Sequence, residues 1–229
     1  MAFEFTKAAA IFRRRAALWL CFASLCFGLQ AQEPAVVTFT LDFPGSQPDH
    51  YVISISSDGH STYDSNSKLS DDSEGDPFHL DFVVSDAARA RVLDLANRAK
   101  HFQGELDSKK RNLASTGTKT LAYRDAKQNT QARYNYSPIP AVQELTSFFQ
   151  NFSSTLEFGH RIEYFHHYQK LALDEELKRL EDTARQHGLE ELQVIAPILQ
   201  KVAEDASVIN PVRARAQRLL RQAAAPRKR

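Results

Sequence analysis

Two alternating segments joined by a tight turn limit the possible folds more than any other feature of this chain. HYVISISS places Tyr51, Ile53 and Ile55 on one face, because successive side chains of a strand point in opposite directions. Asp58-Gly59 follows directly, and this dipeptide is a strong signal for a hairpin turn. HSTYDS is then the return strand. The hairpin predicts an antiparallel sheet in the first half of the chain.

Four more segments have the pattern of strands, and one has the pattern of a helix. VVTFTLDF and FHLDFVV alternate, while KTLAYRD and QARYNYS form a second hairpin across AKQNT. Ser85 is a typical N-cap residue, and the apolar spacing after it predicts a helix to about Ala99. We therefore predict an α+β fold, in which a small antiparallel sheet carries one packed helix.

The second half of the chain has helical spacing throughout. Pro140 marks the beginning of this half, and one long helix is predicted from Leu156 to Gln186, ending before Gly188. This helix should bury Phe158, Ile162 and Phe165 and present a second contact stripe, whose members are Tyr164, Tyr168 and Leu171.

Two proline signals divide the remainder of the chain. Pro197 lies inside a third helical segment, residues 189–205, and should kink or split it. Asn210-Pro211 has the pattern of an N-cap followed by proline at the first helical position, and this last helix should run to about Ala223. We predict an α+β domain over residues 32–155, a helical hairpin or bundle extension over residues 156–224, and a basic tail over residues 225–229.

Residues 1–31 have the pattern of a secretory signal peptide. Arg13, Arg14 and Arg15 precede the apolar run AALWLCFASLCFGLQA, which is too short for a typical membrane span of about 20 residues. Cleavage is predicted near Ala31, before Gln32, and an uncleaved anchor is the alternative. The sequence therefore predicts a periplasmic or secreted protein.

Removal of this segment would change the chemistry of the chain. Cys21 and Cys26 are its only cysteines, so the mature protein would have no disulfide and no thiolate nucleophile or metal ligand. The segment also carries four of the 29 basic and one of the 28 acidic side chains, which leaves 25 and 27 and a net charge of −2. Nucleic-acid binding is not predicted, because such domains are strongly basic.

Two stretches resemble known families. The YVISISSDGHSTYDS hairpin, the helix that ends in AKHF and the segment TGTKTLAYRD resemble a small exported domain of unknown function from bacterial envelope proteins. This chain lacks the cysteine-containing segment of that domain, and the resemblance implies no activity, because that family has none assigned. IAPILQKVAEDASVINPVRARAQRLL is similar to a single HEAT-type helical pair, which needs neighbouring repeats to bury its faces.

GHRIEYFHHY contains a candidate set of ligands for a transition metal. On a helix, His160, Glu163 and His167 share one face, and two imidazoles with one carboxylate are suitable ligands for zinc. However, His160 and His167 are about 10 Å apart along the axis at 1.5 Å per residue, so their side chains would have to converge strongly. A solvated helix face is the alternative interpretation.

Two other features could bind partners. Leu173, Leu177, Leu180 and Ala184 form a narrow apolar seam typical of a short coiled coil or a helical hairpin, packed either within the chain or against a partner helix. Basic residues dominate the C-terminus, and an anionic surface or an acidic partner could contact them. These side chains are Arg213, Arg215, Arg218, Arg221, Arg227, Lys228 and Arg229.

No complete catalytic motif appears in the sequence. We therefore predict an exported envelope protein that acts as a non-enzymatic interaction or structural module, with an envelope partner bound through the helices of residues 156–224. The alternative prediction is a metal-binding protein or metal-dependent hydrolase that uses His160, Glu163 and His167 with zinc.

Overall fold

A computed structural model describes residues 33–69, 77–110 and 112–225. The predicted signal peptide, residues 1–31, and residues 226–229 of the predicted basic tail lie outside these ranges. The described residues from Pro34 onward belong to one compact structural unit.

Six strands form a single antiparallel sheet in the order β4-β3-β2-β1-β5-β6. They are β1 (Val36–Asp42), β2 (His50–Ser56), β3 (His60–Ser65), β4 (Phe78–Val83), β5 (Thr118–Arg124) and β6 (Asn129–Tyr134). The first four strands form a meander, and β5 returns to the free side of β1. The α+β fold predicted from alternation is confirmed, and both predicted hairpins are present.

Five α-helices accompany the sheet in the described residues. They are α1 (Asp86–Arg98), α2 (Pro140–Tyr168), α3 (Leu173–Arg185), α4 (Ala196–Glu204) and α5 (Asn210–Ala224). The Ser85 hydroxyl accepts a hydrogen bond from the Ala88 N–H and caps α1, as its position in the sequence predicted. Pro197 lies in the first turn of α4, and a short 3₁₀ turn, Leu192–Ile195, precedes it, so the predicted split of this segment is confirmed.

The first hydrophobic core lies between the sheet and the helices α1 and α2. Val37, Phe39 and Leu121 are completely buried on one face of the sheet, where Phe39 stacks on Phe149 of α2 at a ring-centroid distance of 5.2 Å. The same core holds Tyr51, Ile53 and Ile55, which strand alternation placed on one face. The opposite face carries threonine, serine and charged side chains, as expected for a sheet with one solvated face.

A second core begins on the same helix. The first core includes Leu156 and the second includes Phe158, so α2 belongs to both. The second core holds the seam of α3, and Leu173, Leu177 and Leu180 have no exposed surface. The seam therefore packs within the chain.

The predicted single helix over Leu156–Gln186 is wrong. The helix α2 extends from Pro140 through the predicted domain boundary at residue 155 and ends at Tyr168, and α3 begins at Leu173 after a 3₁₀ turn. No proline or glycine lies at this break. Among the described helices, none is long and apolar enough to span a membrane.

Candidate functional site

The three predicted metal ligands have different surroundings along α2. The ring of His160 stacks on Phe78 at 3.7 Å between centroids, and its Nδ1 lies 3.4 Å from the Ser67 hydroxyl. Glu163 lies 3.5 Å from the Lys201 ammonium group of α4. His167 is exposed beside Tyr168.

The structure does not bring these three side chains together as ligands. Within residues 33–69, 77–110 and 112–225, no three His, Cys, Asp or Glu side chains are grouped closely enough to hold a metal ion. A zinc site at His160, Glu163 and His167 is thus predicted from the sequence alone, without support from the geometry of the described residues.

A buried carboxylate lies one turn before His160. Glu157 is 4% exposed, and its Oε1 accepts hydrogen bonds from the Tyr63 hydroxyl at 2.6 Å and from the Ser65 hydroxyl at 2.8 Å. The Ser153 hydroxyl lies 2.9 Å from the same Tyr63 hydroxyl. The other oxygen of Glu157, Oε2, is buried without a hydrogen-bond partner among the described residues.

This Glu157 cluster changes the acidity of its tyrosines. Burial raises the pKa of Tyr63 well above its ordinary value, and the neighbouring Glu157 charge adds to the effect. Burial likewise raises the pKa of Tyr51. Both phenols therefore stay neutral at ordinary pH, and the Tyr63 hydroxyl donates its hydrogen bond to Glu157. The cluster connects strand β3 to α2 at the point where the two cores meet.

A second polar cluster fixes the end of α2. The His166 Nε2 lies 2.9 Å from the Asp205 carboxylate, and the Lys170 ammonium group donates to the same carboxylate at 2.7 Å. Lys170 also donates to the Ser207 hydroxyl, which in turn donates to Asp205. We call His166, Lys170, Asp205 and Ser207 the clasp. The clasp holds the pKa of Asp205 well below the usual range, chiefly through the hydrogen bond from Lys170.

Two exposed apolar side chains, Tyr168 and Leu171, flank the clasp residue Lys170 in the sequence. Leu171 is 92% exposed and Tyr168 is 75% exposed, and the Tyr168 ring lies 5.1 Å from the ring of Tyr164. Sequence analysis placed these residues on a second contact stripe of one long helix. The helix ends at Tyr168, so Leu171 lies in the 3₁₀ turn that follows it, and the side chains of Tyr168 and Leu171 are exposed.

Most of the described basic residues of α5 have partners inside the chain. Arg215 and Arg218 both contact the Glu181 carboxylate of α3, and Arg215 also contacts Asp174. Arg213 donates to the Ala203 carbonyl. These contacts give three of the predicted surface arginines a role in packing α5 against α3 and α4. They also lower the pKa of Glu181, chiefly through the hydrogen bond from Arg218.

Sequence reasoning did not find Glu157 or the clasp. Glu157 occupies a position between apolar residues of a helix, and that interruption of the pattern was the only local signal. The partners of both groups come from distant parts of the chain, which no spacing rule can identify.

Comparison with protein-family models finds no family that matches this chain, and comparison with curated proteins finds no relative. The resemblances to an exported domain of unknown function and to a HEAT-type helical pair stay predictions.

Proposed function

We propose that the protein is an exported, non-enzymatic binding module of the bacterial envelope that recognises another protein through the turn between α2 and α3. The pattern of residues 1–31 supports export to the periplasm or beyond. The observation that carries the binding proposal is the pair of exposed side chains Tyr168 and Leu171 beside the clasp.

The clasp makes this turn suitable for recognition. Binding loses less entropy when the contact residues are already ordered, and two residues of the turn region, His166 and Lys170, are tied to the α4–α5 connection through Asp205. The exposed apolar side chains are therefore carried on a fixed frame.

The chemistry of the turn favours a protein partner with an apolar recess. Tyrosine supplies a large apolar ring with a hydroxyl that can form a hydrogen bond, and such residues are enriched in protein interfaces. The Leu171 side chain is almost fully exposed, so a partner could bury nearly all of it. The neighbouring His167 adds a polar group beside these apolar side chains. A recess that accepts the leucine and one tyrosine ring fits this surface best.

Site-specific photo-crosslinking tests the proposal. A photoreactive residue at position 171 in the full chain, expressed in a bacterial host, should give one adduct of defined mass with an envelope protein. A photoreactive residue at Lys178, an exposed position of α3, is the matched control and should give none.

Purified components complete the test. The captured protein should bind the wild-type chain, and the double variant Tyr168→Ser, Leu171→Asp should abolish binding while the melting temperature stays unchanged. Equal adducts from positions 171 and 178, or unchanged binding by the double variant, would contradict the proposal.

A further inference from the structure

Strand β4 is an edge of the sheet with free backbone groups. It pairs with β3 alone, through six consecutive residue pairs from His60–Val83 to Ser65–Phe78. The Val84 N–H donates to the Gly59 carbonyl, in line with this register. The N–H and C=O of one residue point to the same side of a strand, and the side alternates.

The alternation fixes which groups face outward. Phe78, Leu80 and Phe82 point their backbone groups toward β3, like Val84. The backbone N–H and C=O groups that point away from the sheet are therefore those of His79, Asp81 and Val83. Within the described part of the chain, these backbone groups have no hydrogen-bond partner.

This edge carries the charge of Asp81 but lacks several other features that prevent strand addition. The six residues FHLDFV contain no proline, glycine or lysine, and their pairing with β3 shows no bulge. Three apolar side chains on the core face of β4 stay partly exposed, namely Phe78, Leu80 and Phe82. Val83 on the opposite face is 64% exposed. Another strand placed alongside would satisfy the free backbone groups and cover this apolar surface.

The charges of β4 are complementary to a second copy of itself. When two β4 strands run antiparallel with Leu80 opposite Leu80, each His79 lies opposite Asp81 of the other copy. Phe78 then lies opposite Phe82 on the core face, so apolar residues meet apolar residues. A shift to Asp81 opposite Asp81 would instead place two like charges together.

The side chains that carry these charges are exposed, and His79 also contacts Asp64 of β3. The side chains of His79 and Asp81 are 56% and 79% exposed, and their ring and carboxylate are 3.5 Å apart within one strand. A hydrogen bond with Asp64 raises the pKa of His79, which increases its positive charge near neutral pH. In the same register, the outward backbone groups of His79 and Asp81 form hydrogen-bonded pairs between the copies.

We infer that β4 is a self-association site, at which two copies of the chain pair antiparallel with Leu80 opposite Leu80 and join their sheets into one of twelve strands. The inference is independent of the proposed partner at the α2–α3 turn.

Disulfide trapping tests the register. Leu80 opposite Leu80 is a pair without hydrogen bonds, whose Cα atoms are about 4.5 Å apart, within the range of a disulfide. In the full chain with Cys21 and Cys26 replaced by serine, Leu80→Cys should form a covalent dimer under mild oxidation. Asp81→Cys is the matched control. It should form no covalent dimer, although position 81 is more exposed than position 80.

Charge exchange is a second test that leaves the core face intact. Asp81→His and His79→Asp each place like charges opposite one another and should weaken the dimer by about ten-fold in sedimentation velocity. An equimolar mixture of the two variants should recover association, because each histidine then faces an aspartate. A wild-type chain that stays monomeric at roughly 100 µM, or a trapped dimer from Asp81→Cys but not Leu80→Cys, would overturn the inference.

Discussion

The Tyr63 hydroxyl of β3 donates a hydrogen bond of 2.6 Å to the buried carboxylate of Glu157 on α2. The two residues are 94 positions apart in sequence, and both are almost fully buried. A buried charge is unfavourable unless neighbouring dipoles stabilise it, and here two hydroxyl groups donate to one carboxylate oxygen. These hydrogen bonds therefore connect the sheet to the long helix α2 at the junction of the two cores.

Removal of the Tyr63 hydroxyl should destabilise the fold. A hydrogen bond to a charged group contributes about 1.5–3 kcal/mol, so we expect Tyr63→Phe to lower the free energy of unfolding by about 2 kcal/mol. Urea denaturation at neutral pH measures this change. Tyr168→Phe is the matched control, and it should change stability by less than about 0.5 kcal/mol, because that hydroxyl is on an exposed ring. Equal effects of both variants would argue against the cluster as a stabilising contact.

Stability should fall steeply in alkaline solution. Burial raises the pKa values of Tyr51, Tyr63 and Tyr134 above the ordinary value of 10.0. Above that pH the unfolded chain loses phenol protons that the folded chain retains, so the free energy of unfolding decreases as the pH rises. Each tyrosine contributes about 1.4 kcal/mol per pH unit, or about 4 kcal/mol per unit for the three together.

Urea midpoints between about pH 8 and 11 measure this slope, together with tyrosinate absorbance. Tyr134→Phe should reduce the slope by about one third. Full ionisation of all tyrosines near pH 10 in a chain that remains folded would contradict the prediction.

The clasp should be sensitive to acid. The pKa of Asp205 is lowered in the folded chain, chiefly by Lys170, so its carboxylate stabilises the fold above the ordinary aspartate range. This contribution is lost as the pH falls below about 4, where the unfolded chain takes up the proton first. We expect Asp205→Asn to lower the melting temperature at neutral pH and to reduce its dependence on pH between about 5 and 3. Glu204→Gln, on the exposed neighbouring side chain, should leave both unchanged.

The strands could be predicted because their signals are local. Alternation along HYVISIS and VVTFTLD directly reflects the one-sided burial of Ile53 and Phe39, and Asp58-Gly59 closes the hairpin. Ser85, Pro197 and Pro211 likewise act within one helical turn of their own positions.

The break after Tyr168 could not be predicted because its cause is not local. Gln169, Lys170 and Leu171 are all compatible with a helix, and no glycine or proline interrupts them. The chain leaves the helix where His166 and Lys170 both contact Asp205, which lies 39 and 35 residues further along the sequence. The burial of Glu157 has a similar origin, because its hydroxyl partners are on β3.

Processing of the N-terminus should occur near Gln32. The apolar run after Arg15 has the pattern of an export signal, and small Ala31 precedes the predicted cleavage site. We expect the envelope fraction of a bacterial host to contain a chain whose mass corresponds to residues 32–229. Leu20→Arg, which interrupts the apolar run, should leave the unprocessed chain in the cytoplasm. An unprocessed wild-type chain in the membrane fraction would favour the uncleaved anchor.

Zinc should not stabilise the folded chain through GHRIEYFHHY. A ligand that binds only the folded state raises the melting temperature as its concentration rises. His160 is stacked on Phe78 and Glu163 contacts Lys201, and among the described residues the three side chains are not grouped as metal ligands, so we expect no zinc binding here. We expect the wild-type chain to have the same melting temperature with zinc as with EDTA. The double variant His160→Ala, His167→Ala should likewise show no difference between zinc and EDTA. Its melting temperature should be lower than that of the wild type, because the stacking of His160 on Phe78 is lost. A zinc-dependent rise in the wild-type chain that disappears in the double variant would instead establish a metal site, and the hydrolase alternative would then deserve substrate screens.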